Sequence, residues 1–428
     1  MLSILNGILI LRNFITLLLL FSVYSHSQQT AQSLIDQYQD ALFQIKIIEL
    51  GSGNKSSIGS GFQIDERGNI VTNYHVVSEY VYYPDKFRIQ YLAHDGSEGE
   101  LKLVNFDLVN DLALVRKVEN SGQQNAFPIS HKLPQQGTDL YSLGNPHDLG
   151  MIVVPGTFNG MKKNSFYQRL HFTGSINPGM SGGPVVNQQG QVVGVNVATA
   201  GNQIGFLIPL EKVQSLLGSK NQSLLTTQQF KPLIQQQLID NQTRLLSLLT
   251  QDPWPTANLG KGRVPAQITD FISCWGGSNA NEQKPLFLSV ENRCQLDEQI
   301  FVHGGLQTGG LELEFEWLDG KSMGEHRFYA FYSDSITGAL AGNKASQSDV
   351  TNYSCQQDKV TNIHAVTSKT VLCLRAYKEF DQLYDALFIA ASLDHKQQGL
   401  ISHYTLAGVT QASVQLFTQQ FMDSITWQ

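Results

Sequence analysis

The run Asn177-Pro178-Gly179-Met180-Ser181-Gly182-Gly183-Pro184 sets one serine among three glycines, directly before an apolar, strand-like segment. Glycine lets a backbone approach a reacting carbonyl closely. In such a turn the amides of Gly179 and Ser181 can point to one spot, an oxyanion hole for the charge that develops on a carbonyl oxygen during acyl transfer. A serine hydroxyl alone is a weak nucleophile. It needs a base within hydrogen-bond reach and a carboxylate that fixes the base's tautomer. Candidates for both lie upstream: Thr72-Asn73-Tyr74-His75-Val76-Val77 places His75 at the end of a β-like run, and Asn110-Asp111-Leu112-Ala113-Leu114-Val115 places Asp111 at the mouth of an apolar strand. Each signal alone is weak. A histidine beside apolar residues is usually structural, an acid at a strand end is usually a turn charge, and Gly-x-Ser-Gly-Gly can be a plain hairpin with an exposed serine.

The same five residues satisfy Gly-x-Ser-x-Gly, the nucleophile elbow of α/β-hydrolases, which requires a helix after the serine and the acid and histidine further downstream. Here Gly-Gly-Pro-Val-Val follows, which starts a strand, and both partners precede the serine. An ester hydrolase of that type is therefore disfavoured.

Taken together, in the order His75, Asp111, Ser181 with gaps of 36 and 70 residues, the three resemble the chymotrypsin-like serine proteases. The closer resemblance is to the HtrA (Deg) branch, carried by Gly59 to Phe62, Thr72 to Val77, Asn110 to Val115, Leu143-Gly144-Asn145-Pro146, Asn177 to Pro184 and Gly205-Phe206-Leu207-Ile208-Pro209. It covers residues 35 to 217. The resemblance implies a trypsin-like double β-barrel with His75 and Asp111 on the first barrel, Ser181 on the second, and a protein or peptide substrate in the cleft between them. His75 would be the general base, Asp111 its orienting carboxylate and Ser181 the nucleophile; Asp107, four residues earlier, is the alternative acid. It further implies that Ser175, six before the serine, lies at the base of the pocket for the residue preceding the scissile bond, and that Val195, Asn196 and Val197 line it and pair with an extended substrate. Without a carboxylate at 175, a small or medium apolar side chain is expected there. The family's usual PDZ domain is not recognisable after residue 217, so peptide-sensing activation and trimer formation are not carried over. His94, His131, His147 and His171 lack a comparable setting and read as surface or structural.

The elements that must position these groups are mostly β. Residues 42 to 210 hold short apolar runs separated by glycine-bearing turns, including hairpins around Glu66-Arg67-Gly68 and Asn187-Gln188-Gln189-Gly190. Apolar residues at 210, 213, 216 and 217 mark a short closing helix. From 218 to 268 the composition turns to Gln, Asn, Ser and Thr, and Phe230, Leu233, Ile234, Leu238 and Ile239 predict a helical connector; the Gly260/Gly262 pair predicts an irregular crossing. Residues 269 to 428 read as a second antiparallel β-rich domain of unknown role. Its strand-like runs are Leu286 to Val290, Ile300 to His303, Leu311 to Trp317, Arg327 to Tyr332, Thr370 to Tyr377, Ala386 to Ser392 and Leu400 to Leu406, and a C-terminal helix carries Val414, Phe417, Phe421 and Ile425.

A chain of 428 residues, 41% hydrophobic and 10% aromatic, has material for two or three globular domains. Lys+Arg 29 against Asp+Glu 36 gives a net charge of -7 with no long basic run, which argues against nucleic acid as a partner. Arg12 precedes the apolar stretch Phe14 to Val23, and Ser25-His26-Ser27 supplies small residues for cleavage, so residues 1 to 27 read as a signal peptide and the protein as secreted or periplasmic. An uncleaved membrane anchor is the alternative. Cys274, Cys294, Cys355 and Cys373 all lie in the second half; an even number in an exported chain favours disulfides, with Cys274–Cys294 and Cys355–Cys373 the expected pairs. No Cys-x-x-Cys exists, and neither metal nor other cofactor is expected. The function expected is a serine endopeptidase acting through an acyl-enzyme on unfolded or extended segments; the alternative is a non-catalytic binding or adhesion protein on the same scaffold. Activity should rise as an imidazole deprotonates, around pH 6 to 7 from a reference of about 6.5. Oligomeric state is not encoded in any motif.

Overall fold

The computed structural model describes residues 31–119, 125–146, 149–199, 203–218, 222–337, 341–343 and 345–428. The expected signal segment 1–27 and His147 lie outside the described residues. After helix α1 (Ala31–Tyr38), six strands close a first antiparallel barrel: β1 (Leu42–Glu49), β2 (Lys55–Gln63), β3 (Asn69–Thr72), β4 (Phe87–Leu92), β5 (Glu98–Asp107) and β6 (Leu112–Lys117), in the order β1-β2-β3-β6-β5-β4. Helix α2 (Tyr74–Tyr82) interrupts them between β3 and β4. A second barrel repeats the plan with β7 (Asp139–Gly144), β8 (Ile152–Met161), β9 (Leu170–Thr173), β10 (Pro184–Val186), β11 (Val192–Thr199) and β12 (Gly205–Pro209), in the order β10-β11-β12-β9-β8-β7. Closure leaves no free sheet edge in either barrel. Helix α3 (Leu210–Leu217) follows, with Leu210, Val213 and Leu216 buried, the period expected from the sequence.

The segment after α3 is more than a connector. Helix α4 (Thr227–Thr250) starts with a capping box in which the Thr226 amide donates to Gln229 Oε1 at 2.8 Å. Its buried face, Phe230, Ile234, Leu238, Leu245, Leu246 and Leu249, lies in one hydrophobic cluster with Phe43, Ile45, Tyr74 and Val77 of the first barrel and with Phe315, Phe417 and Phe421 of the C-terminal region. Leu233 and Ile239 pack against the same cluster. The two halves therefore share a core across α4. Beyond it, β13 (Thr256–Leu259) and β14 (Gly262–Pro265) form a hairpin that pairs with the chain end, where the expectation was an irregular crossing.

The C-terminal region is built on a seven-stranded antiparallel sheet. In chain order its strands are β15 (Ser273–Ser278), β16 (Leu288–Gln295), β19 (Leu311–Asp319), β20 (Ser354–Thr361), β21 (Thr367–Ala376), β22 (Tyr384–Ser392) and β23 (Gln398–Val409), arranged as β15-β16-β19-β23-β22-β21-β20. A separate hairpin, β17 (Ile300–His303) with β18 (Leu306–Thr308), projects from it. Helix α5 (Glu325–Thr337) replaces the strand expected over Arg327 to Tyr332. The aromatic run there is spaced for a helix, with Phe328 and Tyr332 one turn apart, buried and stacked at 5.5 Å. Helix α6 (Gln411–Asp423) buries Val414, Phe417 and Phe421, each contributing about 1.5–3 kcal/mol, before the short β24 (Thr426–Trp427). Disulfides join Cys274 to Cys294 and Cys355 to Cys373, each pair directly opposite on neighbouring strands. β15 and β20 escaped the sequence reading because they are exposed and lack an apolar face.

Candidate active site

His75 is the second residue of α2, not the end of a strand. A helix N-terminus leaves amides without intrahelical acceptors, and the Asn73 side chain does not cap this one. Asp111 supplies the acceptor from the turn that enters the neighbouring strand, β6. Its Oδ1 takes the His75 backbone N–H at 2.8 Å, while Oδ2 lies 2.7 Å from the ring Nδ1. One carboxylate thus fixes both the backbone and the ring of His75, and with the proton on Nδ1 it leaves Nε2 as the acceptor. Burial pulls the imidazole pKa down, but the charge and hydrogen bond of Asp111 outweigh it and hold the value above 6.5. The His75 side chain keeps 31% of its surface open.

Asp111 sits at φ 62°, a left-handed conformation uncommon for a non-glycine residue. Its carbonyl is held by Asn73 Nδ2 at 2.8 Å. Asp107 is consumed locally, accepting from the Asn110 amide at 2.9 Å and from Asn110 Nδ2 at 2.6 Å. The geometry therefore separates the two acids in favour of Asp111.

The serine loop is pinned from both barrels. Ser60, on β2, donates its hydroxyl to the Gly179 carbonyl at 2.7 Å and its amide to the Ser181 carbonyl at 2.8 Å, while its Oγ accepts the Asn145 amide at 2.9 Å. Asn196 clamps the other side: its carbonyl accepts the Gly182 amide at 3.0 Å and its amide donates to the Gly183 carbonyl at 2.9 Å. Met180 N–H is spent on Asn177 and Gly183 N–H on Met180. Among the described residues the amides of Gly179 and Ser181 donate to no protein acceptor, and these are the two donors that an oxyanion would need. Gly179 has φ 96° and Gly182 φ 83°. A Cβ on Gly182 would lie 2.3 Å from the Ser60 carbonyl oxygen and 2.8 Å from the Asn73 amide. That close approach brings the serine loop against the residue two before His75. No hydrogen bond joins the His75 ring to the Ser181 hydroxyl among the described residues; such contacts often tighten only when substrate binds.

Of the residues expected to line a pocket, Ser175 is exposed and Val197 half-buried. Val195 and Asn196 are fully buried, and Asn196 spends its side chain on Ser142 Oγ and on the Leu143 and Met180 carbonyls. Asn196 thereby braces the serine loop. His94 and His131 are exposed, and His171 lies beside Phe206 at 6.2 Å between centroids. Among the described residues no group of three or more His, Cys, Asp or Glu side chains is placed to hold a metal ion.

Two functional neighbours were missed. Ser60 lies inside a motif already noted, but its role as a brace depends on the other barrel. Phe301 comes from the C-terminal hairpin, and its ring meets His75 edge-on at 6.3 Å between centroids. No local signal could have revealed that contact.

A model of the trypsin-like peptidase domain matches residues 59–195. The chain is 35% identical over 161 residues to a "probable periplasmic serine endoprotease DegP-like" of Chlamydia trachomatis serovar D, covering 35% of this chain and 31% of that protein. It is 30% identical over 175 residues to the serine endoprotease DegS of Escherichia coli K12, covering 38% and 47%. It thus spans between about a third and a half of the length of these relatives. A solved serine endoprotease from Yersinia pestis is 26% identical, covers 44% of this chain and 65% of that one, and superposes with a TM-score of 0.38. The matched residues run through both barrels and include His75, Asp111 and Ser181. Residues 59–195 match a trypsin-like peptidase domain, and this part of the chain is similar to serine endoproteases of the HtrA type.

Proposed function

We propose that the protein is a serine endopeptidase that cleaves extended protein segments in an extracytoplasmic compartment. The observation that carries this reading is the two-point grip of Asp111 on His75, which leaves one imidazole nitrogen free to act as a base, together with a serine loop in which the amides of Gly179 and Ser181 donate to no protein acceptor among the described residues. In the acylation step Ser181 Oγ attacks the scissile carbonyl as His75 Nε2 takes its proton, and the two amides receive the oxyanion. His75⁺ then gives the proton to the departing amine, and water hydrolyses the acyl-enzyme by the same route in reverse roles. Asp111 stays ionised throughout and supports the imidazolium.

The Ser181 hydroxyl must donate to Nε2 for this chemistry. Ser175 and Val197 remain the candidates for contact with the residue preceding the scissile bond. Strand-wise binding of substrate favours unfolded chains and loops over packed domains. Two disulfides fit an oxidising compartment and therefore export.

The test is labelling of the oxidised chain with an organofluorophosphate and mapping of the adduct. Labelling at Ser181 that disappears in His75→Ala supports the peptidase. An unlabelled Ser181 in folded protein would sink it and favour a binding protein on a protease scaffold.

A further inference from the structure

Strand β17 runs past the N-terminal turn of α2, and alternate side chains of a strand face opposite ways. Val302 points into the shared core, fully buried, and its carbonyl accepts the Tyr74 hydroxyl at 2.9 Å. Its neighbour Phe301 is half-buried and meets the His75 ring edge-on. We infer that Phe301 is a specificity-determining residue, an apolar wall that the C-terminal region adds to the substrate cleft beside His75.

The hairpin is held firmly enough to act as a wall. Gly305 N–H donates to His303 Nδ1 at 3.1 Å, which leaves the proton on Nε2 for Asp349 Oδ1 at 3.0 Å. Both side chains are almost fully buried, at 5% and 2%. Ser346 Oγ donates to the second oxygen of Asp349 at 2.8 Å, and the His303 ring lies over Tyr82 of α2 at 4.0 Å. Phe301 is thus fixed by Tyr74 on one side and by the His303–Asp349 pair on the other. A scissile bond between Ser181 and His75 must place a neighbouring substrate side chain on the His75 side of the cleft, where the exposed part of the Phe301 ring offers apolar contact and no hydrogen bond. The preferred group is an aliphatic or aromatic side chain at one of the two positions adjoining the residue seated over Ser175.

The inference rests on the peptidase reading, and one experiment separates them. Full-length oxidised protein, Phe301→Ala and Phe301→Leu are compared on quenched peptides that carry Leu, Ala or Asp at each adjoining position, with fluorophosphate labelling of Ser181 in parallel. Expected is a loss of about tenfold in the Leu-over-Asp preference in kcat/KM at one position for Phe301→Ala. Phe301→Leu should restore most of it, while labelling and the pH midpoint stay as in the unmodified chain. An equal loss on every peptide with a moved pH midpoint would make Phe301 a positioning residue for His75 and overturn the proposal, as would unchanged selectivity. No labelling in any of the three proteins would remove the peptidase reading, and the inference with it.

Discussion

The Tyr74 hydroxyl donates to the carbonyl of Val302 at 2.9 Å, joining the residue beside His75 to a strand 228 positions away. Burial raises the phenol's pKa well above its usual value, so the donor proton is retained at any working pH. The contact makes the C-terminal region part of the scaffold beneath α2, the helix that carries His75.

The shared core predicts that the halves unfold together. Tyr80 packs on Phe230 of α4 at 5.7 Å, and a fragment ending at 217 would take Val302 from Tyr74, Phe230 from Tyr80, and His303 and Phe380 from Tyr82. Calorimetry of the whole chain should give one main transition, while residues 31–217 alone should show no cooperative transition. A fragment that melts sharply on its own would refute the shared-core account. Tyr74→Phe should cost about 1–3 kcal/mol by stranding the Val302 carbonyl.

Asp111→Asn removes the charge but keeps the size. The amide can present its NH₂ to Nδ1 and force the ring proton onto Nε2, so turnover should fall by about 10³–10⁴ with the fold intact. Steady-state kinetics beside circular dichroism checks both halves of the claim. Asp107→Asn should keep activity within about tenfold, because Asp107 serves only the Asn110 turn.

The pH dependence carries a sign. Asp111 raises the His75 pKa above 6.5, and catalysis needs the neutral ring, so the acidic limb of kcat/KM should have its midpoint above that of a free imidazole. In Asp111→Asn burial acts unopposed, and the limb of the residual activity should move below 6.5. The stability linkage runs the other way: the ion pair contributes fully below pH 6.5 and is lost as pH rises through the elevated folded value. A limb that stays in place after the substitution would contradict the assignment.

Gly182→Ala meets a carbonyl oxygen at 2.3 Å in a φ 83° conformation. The expected cost is about 2–4 kcal/mol in stability, with loss of turnover beyond what unfolding explains, because the loop must shift off Ser60. Thermal melts alongside initial rates distinguish the two effects.

Much of the first half was legible because its signals are short-range. The glycines around Ser181, the apolar run after Asp111 and the turn residues of the hairpins are each dictated by neighbours in sequence. The failures share a cause of the opposite kind. The bracing role of Asn196 was not legible, because its partners Gly182, Gly183 and Ser142 lie elsewhere along the chain. Arg327 to Tyr332 reads as a strand-like run in isolation, whereas the i,i+4 spacing of Phe328 and Tyr332, both buried, goes with the helix that forms. Phe301 was invisible for the same reason: its significance arises from where a different hairpin docks.

The two disulfides occupy equivalent places in the seven-stranded sheet. Each fastens an outermost strand, β15 or β20, to the strand inside it. Such borders carry unsatisfied backbone groups and invite pairing with another chain. A covalent rivet on each border strand keeps it from peeling back off the sheet and being exchanged between molecules.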